Sequence, residues 1–377
     1  MLALRTTSLF AAAALSLGAA GCHGNVTLTG IGRSLDEPDP RRVVQISGAA
    51  ANTGARRADG TVACWGEAFG GAPVDIEGLS GTVAISVGGF AACALRRGAN
   101  VTCWSLAHGD DAAGLPAEMP GTSDAVRVSV GADHACLLRS GGDVVCWGSN
   151  FGGALGDGTL EDHDAPTPVV GLSGAVEVAA GEFSTCARLA DSTVRCWGRA
   201  LEGQLGDGES EHPECTENEA CSTVPVKVSG LTDALEISAG LNDVFVRKAN
   251  GQVAAWGWNF GGQLGDGTGE SKSEPVVLPG LGTSLRIYAG YTRSCAIGAE
   301  GGLSCWGWFS TSPDEVHLAA EGDVEGLEDV VDVTGGWYHL CALERDGEVS
   351  CWGDNSWHQL GDGTTAARAE PAPVDGL

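Results

Sequence analysis

The chain has 377 residues, of which 43% are hydrophobic, with 59 Gly and 14 Pro. This composition supports a sizeable folded core and excludes a disordered or collagen-like chain. Lys and Arg number 21 against 49 Asp and Glu, so the formal net charge is −28. A surface this acidic repels phosphate backbones and anionic lipids, and we therefore expect no nucleic-acid partner. Fourteen Cys indicate either an oxidising compartment or bound metal.

The N-terminus has the layout of an export signal. Arg5 precedes an apolar run at 9–17, and small residues then lead to Cys22. The apolar run is too short for a permanent membrane-spanning helix. The small residues and the Cys resemble a bacterial lipoprotein box, which predicts a signal peptide at 1–21 and lipidation of Cys22. Ordinary cleavage near Ala20 is the alternative.

The segment that follows the signal is polar. Removal of residues 1–21 takes away one charged residue, Arg5, and leaves a formal charge of −29. Residues 22–42 are rich in Pro, Gly and charged residues, and we expect a tether that holds a folded body of residues 43–377 off the membrane. No other stretch reaches the roughly 18 apolar residues of a spanning helix, so a lipid anchor is the only membrane attachment expected.

A short motif that ends in Trp-Gly or Trp-Ser recurs seven times, roughly every 48 residues. Alternating Val residues and Gly-rich turns around it indicate short strands, and no helical periodicity of useful length is present. Four short strands per repeat are typical of propeller blades. We therefore predict an all-β, seven-bladed β-propeller of four-stranded antiparallel blades. The Trp residues of the motif, which we expect to pack between blades, are Trp65, Trp104, Trp147, Trp197, Trp256, Trp306 and Trp352.

Each repeat contains a hairpin whose register follows from the last copy. Cys341 and Cys351 are ten positions apart and flank an Asp-Gly pair, in which Gly provides the positive φ of a tight turn. The chain stops halfway through a repeat at 373–377. The missing half, a strand followed by Gly, is present at 43–48. This arrangement predicts a ring closed by one blade that the N- and C-terminal segments share.

Five repeats carry two Cys at facing positions of this hairpin. Facing positions bring Cα atoms to about 4.5–5.5 Å, within the range of a disulfide. One repeat has Phe245 and Ala255 instead, and the loss of both Cys together is what a bonded pair predicts. Zinc sites favour more closely spaced ligands. The predicted disulfides join Cys93 to Cys103, Cys136 to Cys146, Cys186 to Cys196, Cys295 to Cys305 and Cys341 to Cys351.

Three further Cys fall outside this pattern. Cys64 faces Gly54 in the same register, which predicts a free buried thiol or a weakened repeat. Cys215 and Cys221 lie in an insertion at 209–224. We expect a small disulfide loop there, and a metal site that includes His212 is the alternative.

Two further motifs suggest a family. The pattern G-x-x-H occurs at 131–134 and 336–339, and N-x-x-G-x-L-G-D-G occurs at 150–158 and 259–267. With the Trp-Gly pairs, they resemble the regulator of chromosome condensation repeat, a family of seven-bladed propellers, over residues 43–377. That family usually has an aliphatic residue where this chain has paired Cys, so the resemblance implies an exported, disulfide-stapled branch.

The activity of the family's founding member does not fit this chain. That protein exchanges nucleotide on a nuclear GTPase and binds chromatin, and an exported chain of charge −29 meets neither. A secreted bacterial β-lactamase inhibitor of the propeller type is similar in repeat number and compartment, and it blocks an enzyme with one face of its ring.

Catalytic and metal-binding motifs have little support. The Asp-Gly turns differ from the sialidase turn S-x-D-x-G-x-T-W because Asp and Gly are adjacent. The L-G-D-G aspartates recur once per blade and would not converge on one calcium ion, so we expect turn residues. The eight His match no hydrolase spacing. We expect no cofactor, no metal and no catalysis.

Candidate binding residues follow the Gly that opens each hairpin, because these three positions vary from repeat to repeat. In a propeller they surround one rim of the central channel, where aromatic and Arg side chains would form a hot spot for a protein partner. Aromatic side chains that plug the channel are the alternative. Trp258, Trp308, Trp357 and the insertion at 209–224 are further candidates. The predicted partner-binding residues are Phe90, Asp133, His134, Phe183, Asn242, Tyr291, Arg293, Trp337, Tyr338 and His339.

The sequence thus predicts a monomeric cell-envelope lipoprotein, at the outer membrane or cell surface, whose propeller is a rigid, non-catalytic platform for a protein partner. Two alternatives stay open. One is an inhibitor of an exported enzyme, and the other is a carbohydrate-binding or carbohydrate-active propeller.

Overall fold

The computed structural model describes residues 39–106, 114–209, 211–216, 219–309 and 317–377. Seven antiparallel sheets follow one another along these residues, which confirms the seven-bladed β-propeller. The predicted signal peptide, Cys22 and most of the tether lie outside the described residues. Within the described ranges, no helix has the length and apolar character needed to cross a bilayer.

The blades are numbered from the N-terminus. Blade 1 contains β1 (Val43–Ala49), β2 (Asn52–Arg57), β3 (Val62–Gly66) and β4 (Gly70–Asp75). Blade 2 contains β5 (Thr82–Val87), β6 (Ala91–Arg96), β7 (Val101–Ser105) and β8 (Ala117–Glu118). Blade 3 contains β9 (Ala125–Val130), β10 (His134–Arg139), β11 (Val144–Gly148) and β12 (His163–Pro168), with a turn of 3-10 helix at Phe151–Gly153.

The remaining blades repeat this order. Blade 4 contains β13 (Ala175–Ala180), β14 (Ser184–Leu189), β15 (Val194–Arg199), β16 (Glu214–Thr216) and β17 (Glu219–Lys227). Blade 5 contains β18 (Ala234–Ala239), β19 (Asp243–Lys248), β20 (Val253–Gly257) and β21 (Lys272–Val277). Blade 6 contains β22 (Ser284–Ala289), β23 (Arg293–Gly298), β24 (Leu303–Phe309) and β25 (His317–Asp323). Blade 7 contains β26 (Val330–Gly335), β27 (His339–Glu344), β28 (Val349–Gly353) and β29 (Arg368–Pro373).

Blade 4 differs from the four-stranded expectation. The insertion at 209–224 supplies β16, which pairs with β17 as a fifth strand. Cys215 and Cys221 are joined in this hairpin, with Cα atoms 5.8 Å apart.

The closure of the ring also differs from the expectation. The prediction that the two termini share one blade is wrong. Strand β1 pairs with β2, the strand that follows it, and blade 7 has its four strands without β1. The seam is therefore an ordinary junction between two whole blades. Strand β26 contacts β1. The Gly48 amide donates a hydrogen bond to Thr334 Oγ1 at 2.7 Å, and the Trp337 amide donates one to the Ala50 carbonyl at 2.9 Å.

The hydrophobic core lies between the blades. In the described part of the chain, seven clusters of buried side chains each join two neighbouring blades, including blade 7 to blade 1. The motif Trp takes part in each junction, as predicted. Trp197 is fully buried, and its indole Nε1 donates to the Ala154 carbonyl of the preceding blade at 2.9 Å. Trp65 makes the matching bond across the seam, to the Gln359 carbonyl at 3.0 Å.

The L-G-D-G motif serves this junction. A Cβ on Gly156 would lie 2.6 Å from the Trp197 indole nitrogen, so only Gly leaves room for the ring. Asp157 is a turn residue, as expected: it accepts hydrogen bonds from the amide and hydroxyl of Thr159, both at 2.9 Å. It also accepts from Asn150 and pairs with His163 at 2.8 Å. These turn contacts lower its pKa despite partial burial, which raises it.

The five hairpin disulfides are present, each with Cα atoms 4.1 Å apart. In blade 3 the Arg139 amide donates to the Asp143 carbonyl, so the alternation along the ladder makes the Cys136–Cys146 pair a non-hydrogen-bonded one. Side chains approach most closely at such pairs. Cys64 is a free, buried thiol opposite Gly54, and burial raises its pKa to about 12.

Candidate protein-binding face

The two faces of the ring carry different loops. Connections between the first and second strands, and between the third and fourth, open on one face, which we call the upper face. The tight turns between the second and third strands lie on the opposite, lower face. These turns are polar and self-contained. Asp59, for example, accepts hydrogen bonds from the amide and hydroxyl of Thr61, and these bonds lower its pKa.

Four of the ten predicted binding residues lie inside the protein. His134 and His339 are buried, and their Nε2 atoms form 2.8 Å hydrogen bonds to hydroxyls of the next blade, on Thr185 and Thr53. Desolvation lowers the pKa of His134 to about 4 and that of His339 to about 3. Both imidazoles are therefore neutral at pH 7 and serve the blade junctions.

The other two interior residues are Asn242 and Arg293. Asn242 Oδ1 accepts a hydrogen bond from Gln204 Nε2 of the preceding blade at 3.0 Å. Arg293 is 4% exposed, and desolvation lowers its pKa to about 10. Arg293 begins the second strand of blade 6, and Asn242 directly precedes the second strand of blade 5. The sequence pattern alone did not distinguish these inward-facing positions from the exposed loop.

The remaining six predicted residues lie on the upper face. Tyr291 of blade 6 meets two aromatic residues of blade 7, with ring centroids 6.5 Å from Trp337 and 6.0 Å from Tyr338. Tyr338 is 41% exposed. Phe90, on blade 2, is 47% exposed. The rings of Tyr291, Trp337 and Tyr338 form an aromatic surface on blades 6 and 7, and blade 1 separates Phe90 from it.

A second aromatic contact lies at blades 3 and 4. Phe183 packs edge-on against Phe151, with centroids 5.1 Å apart. The Arg199 guanidinium lies 5.7 Å from the centre of the Phe183 ring and pairs with Glu219 at 2.8 Å. The sixth predicted residue, Asp133, is exposed beside this group.

Part of this face has no counterpart among the residues predicted from the sequence. Phe151 and Phe260 follow the Asn of the N-x-x-G motif, and Leu201 occupies the same place in blade 4; all three are exposed, Phe260 by 72%. Trp357, which the sequence did give as a further candidate, lies in the corresponding loop of blade 7 and is 52% exposed. The signal was available, since an apolar side chain recurs at one place of a loop that otherwise contains Gly and polar residues. Trp258 is half-buried against Phe260, and the side chain of Trp308 lies outside the described residues.

The central channel opens at the upper face as a cavity of about 250 Å³. Its wall comes from the ends of all seven innermost strands, and Phe90, Tyr291 and Trp337 stand at its mouth without filling it. Glycines recur in this wall, and the backbones of neighbouring blades approach each other closely there. A Cβ on Gly131 would lie 2.1 Å from the Gly181 carbonyl oxygen of the next blade, which no L side chain allows.

Two acidic residues, Asp133 and Glu182, also line the cavity. The carboxyl of Glu182 has a strongly shifted pKa. Desolvation raises its pKa to about 7; Arg199 opposes this shift and Asp133 adds to it. The pKa of Tyr291 is also raised, first by desolvation and further by Tyr338 and Glu182. The carboxyl of Glu182 on blade 4 therefore acts electrostatically on the phenol of Tyr291 on blade 6.

A second carboxyl lies deeper. Asp243 is 3% exposed, and its Oδ1 has no hydrogen-bond partner among the described residues. Desolvation raises its pKa well above the usual value. Tyr288 of the neighbouring blade lines the cavity, and burial, then the nearby Asp243, raises its pKa too.

The lower end of the channel carries a feature absent from the sequence predictions. The innermost strand of every blade has a register shift that leaves its second residue unpaired. Such bulges bend a strand and increase its twist. Because of them, Val176 is exposed whereas Val178 is buried. The seven unpaired residues are all aliphatic: Val44, Val83, Val126, Val176, Leu235, Leu285 and Val331.

Comparison with known proteins agrees with this architecture. One model of the regulator of chromosome condensation (RCC1) repeat matches residues 125–153, 175–204 and 330–359. A second model of that repeat matches residues 141–188 and 250–297. No curated protein matches the chain by sequence.

Several solved structures share the fold. Human WBSCR16 is 19% identical with a TM-score of 0.70, over 84% of this chain and 94% of that one. Yeast RCC1 (Prp20), solved with Kap60 bound, is 19% identical with a TM-score of 0.65, over 78% of each chain. The ectodomain of the Physcomitrella patens receptor kinase CR4 is 22% identical with a TM-score of 0.53, over 83% of this chain and 73% of that one. At these identities the likeness is one of fold.

Proposed function

This chain carries regulator of chromosome condensation repeats in a seven-bladed propeller, and we propose that it is a non-catalytic platform that binds a protein partner with its upper face. The observation that carries the proposal is the aromatic surface of Tyr291, Trp337 and Tyr338, together with the exposed Phe90 and Trp357. Exposed aromatic residues of this kind are enriched in the energetically dominant parts of protein interfaces.

These aromatic residues contribute little to the ring itself. The junctions between blades use the motif Trp, the glycines and the His–Thr bonds, all of which are buried. Tyr338 follows directly on the seam residue Trp337 and leaves its own side chain exposed. Exposed apolar side chains with no structural task indicate a surface kept for another molecule.

The similar yeast protein supports the choice of a protein partner. Yeast RCC1 (Prp20) is seen with Kap60 bound, so a protein of this fold does bind another protein. We transfer only that mode of action. The partner itself differs in our proposal, since we place this chain outside the cytoplasm.

We propose further that the chain is exported and anchored through a lipid on Cys22. The six disulfides support an oxidising compartment.

The binding proposal is tested by affinity capture from envelope and secreted extracts with the purified, oxidised chain. Trp337→Ala with Tyr338→Ala is the test variant, and Val126→Ala with Val176→Ala, on the lower face, is the matched control. We expect a partner that the control retains and the test variant loses. A partner retained by the test variant contradicts use of this face. An exported enzyme that is inhibited in the complex would identify the chain as an inhibitor.

The anchor is tested by mass spectrometry of the mature N-terminus. We expect a lipid-modified Cys22 at the first position and release of the protein from membranes in a Cys22→Ala variant. An unmodified N-terminus near Ala20 would instead establish ordinary secretion.

A further inference from the structure

The mouth of the channel combines aromatic walls with carboxyl groups. Tyr291 and Trp337 line the cavity on blades 6 and 7, whereas Asp133 and Glu182 line it on blades 3 and 4. A concave site with aromatic faces on one side and acids on the other is the arrangement that attracts an organic cation.

The carboxyl of Glu182 has no cation of its own within the described residues. Arg199, the basic group that lowers the pKa of Glu182, pairs with Glu219 at 2.8 Å and lies over the Phe183 ring, so its guanidinium is already engaged. No salt bridge or hydrogen bond to the Glu182 side chain occurs in the described part of the chain. A half-buried carboxylate in this state gains free energy from any cation that approaches through the mouth.

The size of the cavity selects the ligand further. About 250 Å³ is smaller than the roughly 300–1,000 Å³ of pockets for drug-sized ligands. It suits the end of one long side chain better than a chain of sugar rings. The formal charge of −28 also attracts basic proteins by long-range steering.

We propose that the channel mouth is a binding site for an alkyl cation, the ammonium or guanidinium end of a Lys or Arg side chain that the protein partner inserts between Glu182, Tyr291 and Trp337. This inference rests on the proposed function, since it names the group by which the upper face recognises its partner. The tip of the side chain lies beside the carboxylate of Glu182, and its methylene groups pack on the rings of Tyr291 and Trp337.

The site is tested with small cations, without any partner protein. The probes are n-butylammonium and n-butylguanidinium, and 1-butanol is the neutral control. The readout is the indole N–H signal of Trp337 in NMR spectra of the purified full chain, assigned by its loss in Trp337→Phe. We expect both cations to shift this signal with a Kd in about the millimolar range, and 1-butanol to leave it unchanged. An equal effect of 1-butanol overturns the proposal.

Variants and pH separate the cation site from a general apolar surface. Glu182→Gln should weaken binding about tenfold at pH 8, and Tyr291→Ala about three- to fivefold. Glu77→Gln, an exposed acid on the lower face, is the matched control and should bind as the wild type does. Because the pKa of Glu182 is about 7, its ionised fraction and the affinity should rise about tenfold from pH 6 to pH 8. Arg199, Asp133 and Tyr291 are the charged and titratable groups that face the carboxyl of Glu182. The Glu182→Gln variant shows whether the rise comes from Glu182 itself, and we expect it to abolish the rise.

Failure of this inference is distinguishable from failure of the proposed function. If a captured partner is lost with Tyr338→Ala but small cations do not bind, the upper face remains the platform and the cation site is refuted. A wild-type affinity for cations in Glu182→Gln refutes it equally. If cations bind as predicted but no captured partner depends on Tyr338, the site stands and the platform proposal falls.

Discussion

Removal of one hairpin disulfide should cost a calculable part of the stability. Cys341 and Cys351 are both buried and close a loop of 11 residues within blade 7. In the chain-entropy description, opening such a loop in the unfolded state destabilises the native state by about 2.8 kcal/mol. The double variant Cys341→Val with Cys351→Ala removes the bond and keeps both positions apolar, so this entropy loss is the main effect.

The expected change in melting temperature follows from the size of the ring. Residues 43–377 unfold with an entropy of about 0.7 kcal/mol per kelvin if the ring melts in one step, so 2.8 kcal/mol corresponds to about 4 °C. Calorimetry of the oxidised wild type and the double variant measures this shift. Blade 5 is the internal comparison. Phe245 and Ala255 face each other there in the same register, so a hairpin of this kind forms without a disulfide.

Complete reduction extends the same calculation. Five hairpin bonds together contribute about 14 kcal/mol in this description, which equals the whole stability of a typical domain. At the same unfolding entropy, the reduced chain should melt about 20 °C below the oxidised chain. A double variant that melts as the wild type does, or a reduced chain that keeps its melting temperature, would refute the assignment of stability to these bonds. Free thiols at Cys341 and Cys351 in the unreduced protein would refute the pairing.

Three further changes test the packing. Gly131→Ala should destabilise the ring by about 3 kcal/mol in chemical denaturation, because its Cβ meets backbone of the next blade, whereas Gly98→Ala, where no atom lies within 4 Å, should be neutral. The pKa of Asp243 is raised in the folded state, so the wild type loses stability as pH rises above about 4, the pKa of the unfolded carboxyl. Asp243→Asn does not titrate, and its stability relative to the wild type should therefore rise by up to about 1.4 kcal/mol per pH unit. Melting temperatures of both proteins at pH 5 and pH 8 measure this difference. Trp65→Phe at the seam and Trp197→Phe between blades 3 and 4 should each cost about 1–2 kcal/mol, and a much smaller cost at the seam would contradict an ordinary junction there.

Repetition explains how much of the fold could be predicted. The hairpin register, the paired Cys and the place of the motif Trp each recur at fixed spacing, so one consistent copy determines the others. The seam could not be found in this way. A repeat pattern reads the same whichever strand is taken as the first of a blade, and only the hydrogen bonds of β1 with β2 show where blade 1 begins.

Features that depend on the third dimension were also missed. The bulge in each innermost strand has no sequence signature, because an aliphatic residue fits both a paired and an unpaired position. The burial of Asp243 is equally hidden, since an Asp at the start of a strand is usually exposed. The exposure of Phe151 and Phe260 could not be predicted from their positions alone, because a lone apolar residue in a loop fits a buried place as well as an exposed one.

On blades 3 and 7, exposed and inward-facing residues of the upper face are neighbours in the sequence. His134 and His339 begin their strands and point into the ring, whereas Asp133 and Tyr338, directly before them, are exposed. A repeat can therefore exchange the outer residue without disturbing the His–Thr bond that joins the blades. Selection for a partner would act on the outer positions while the ring keeps the inner ones, which accounts for aromatic and acidic side chains at a rim whose backbone is the same in every blade.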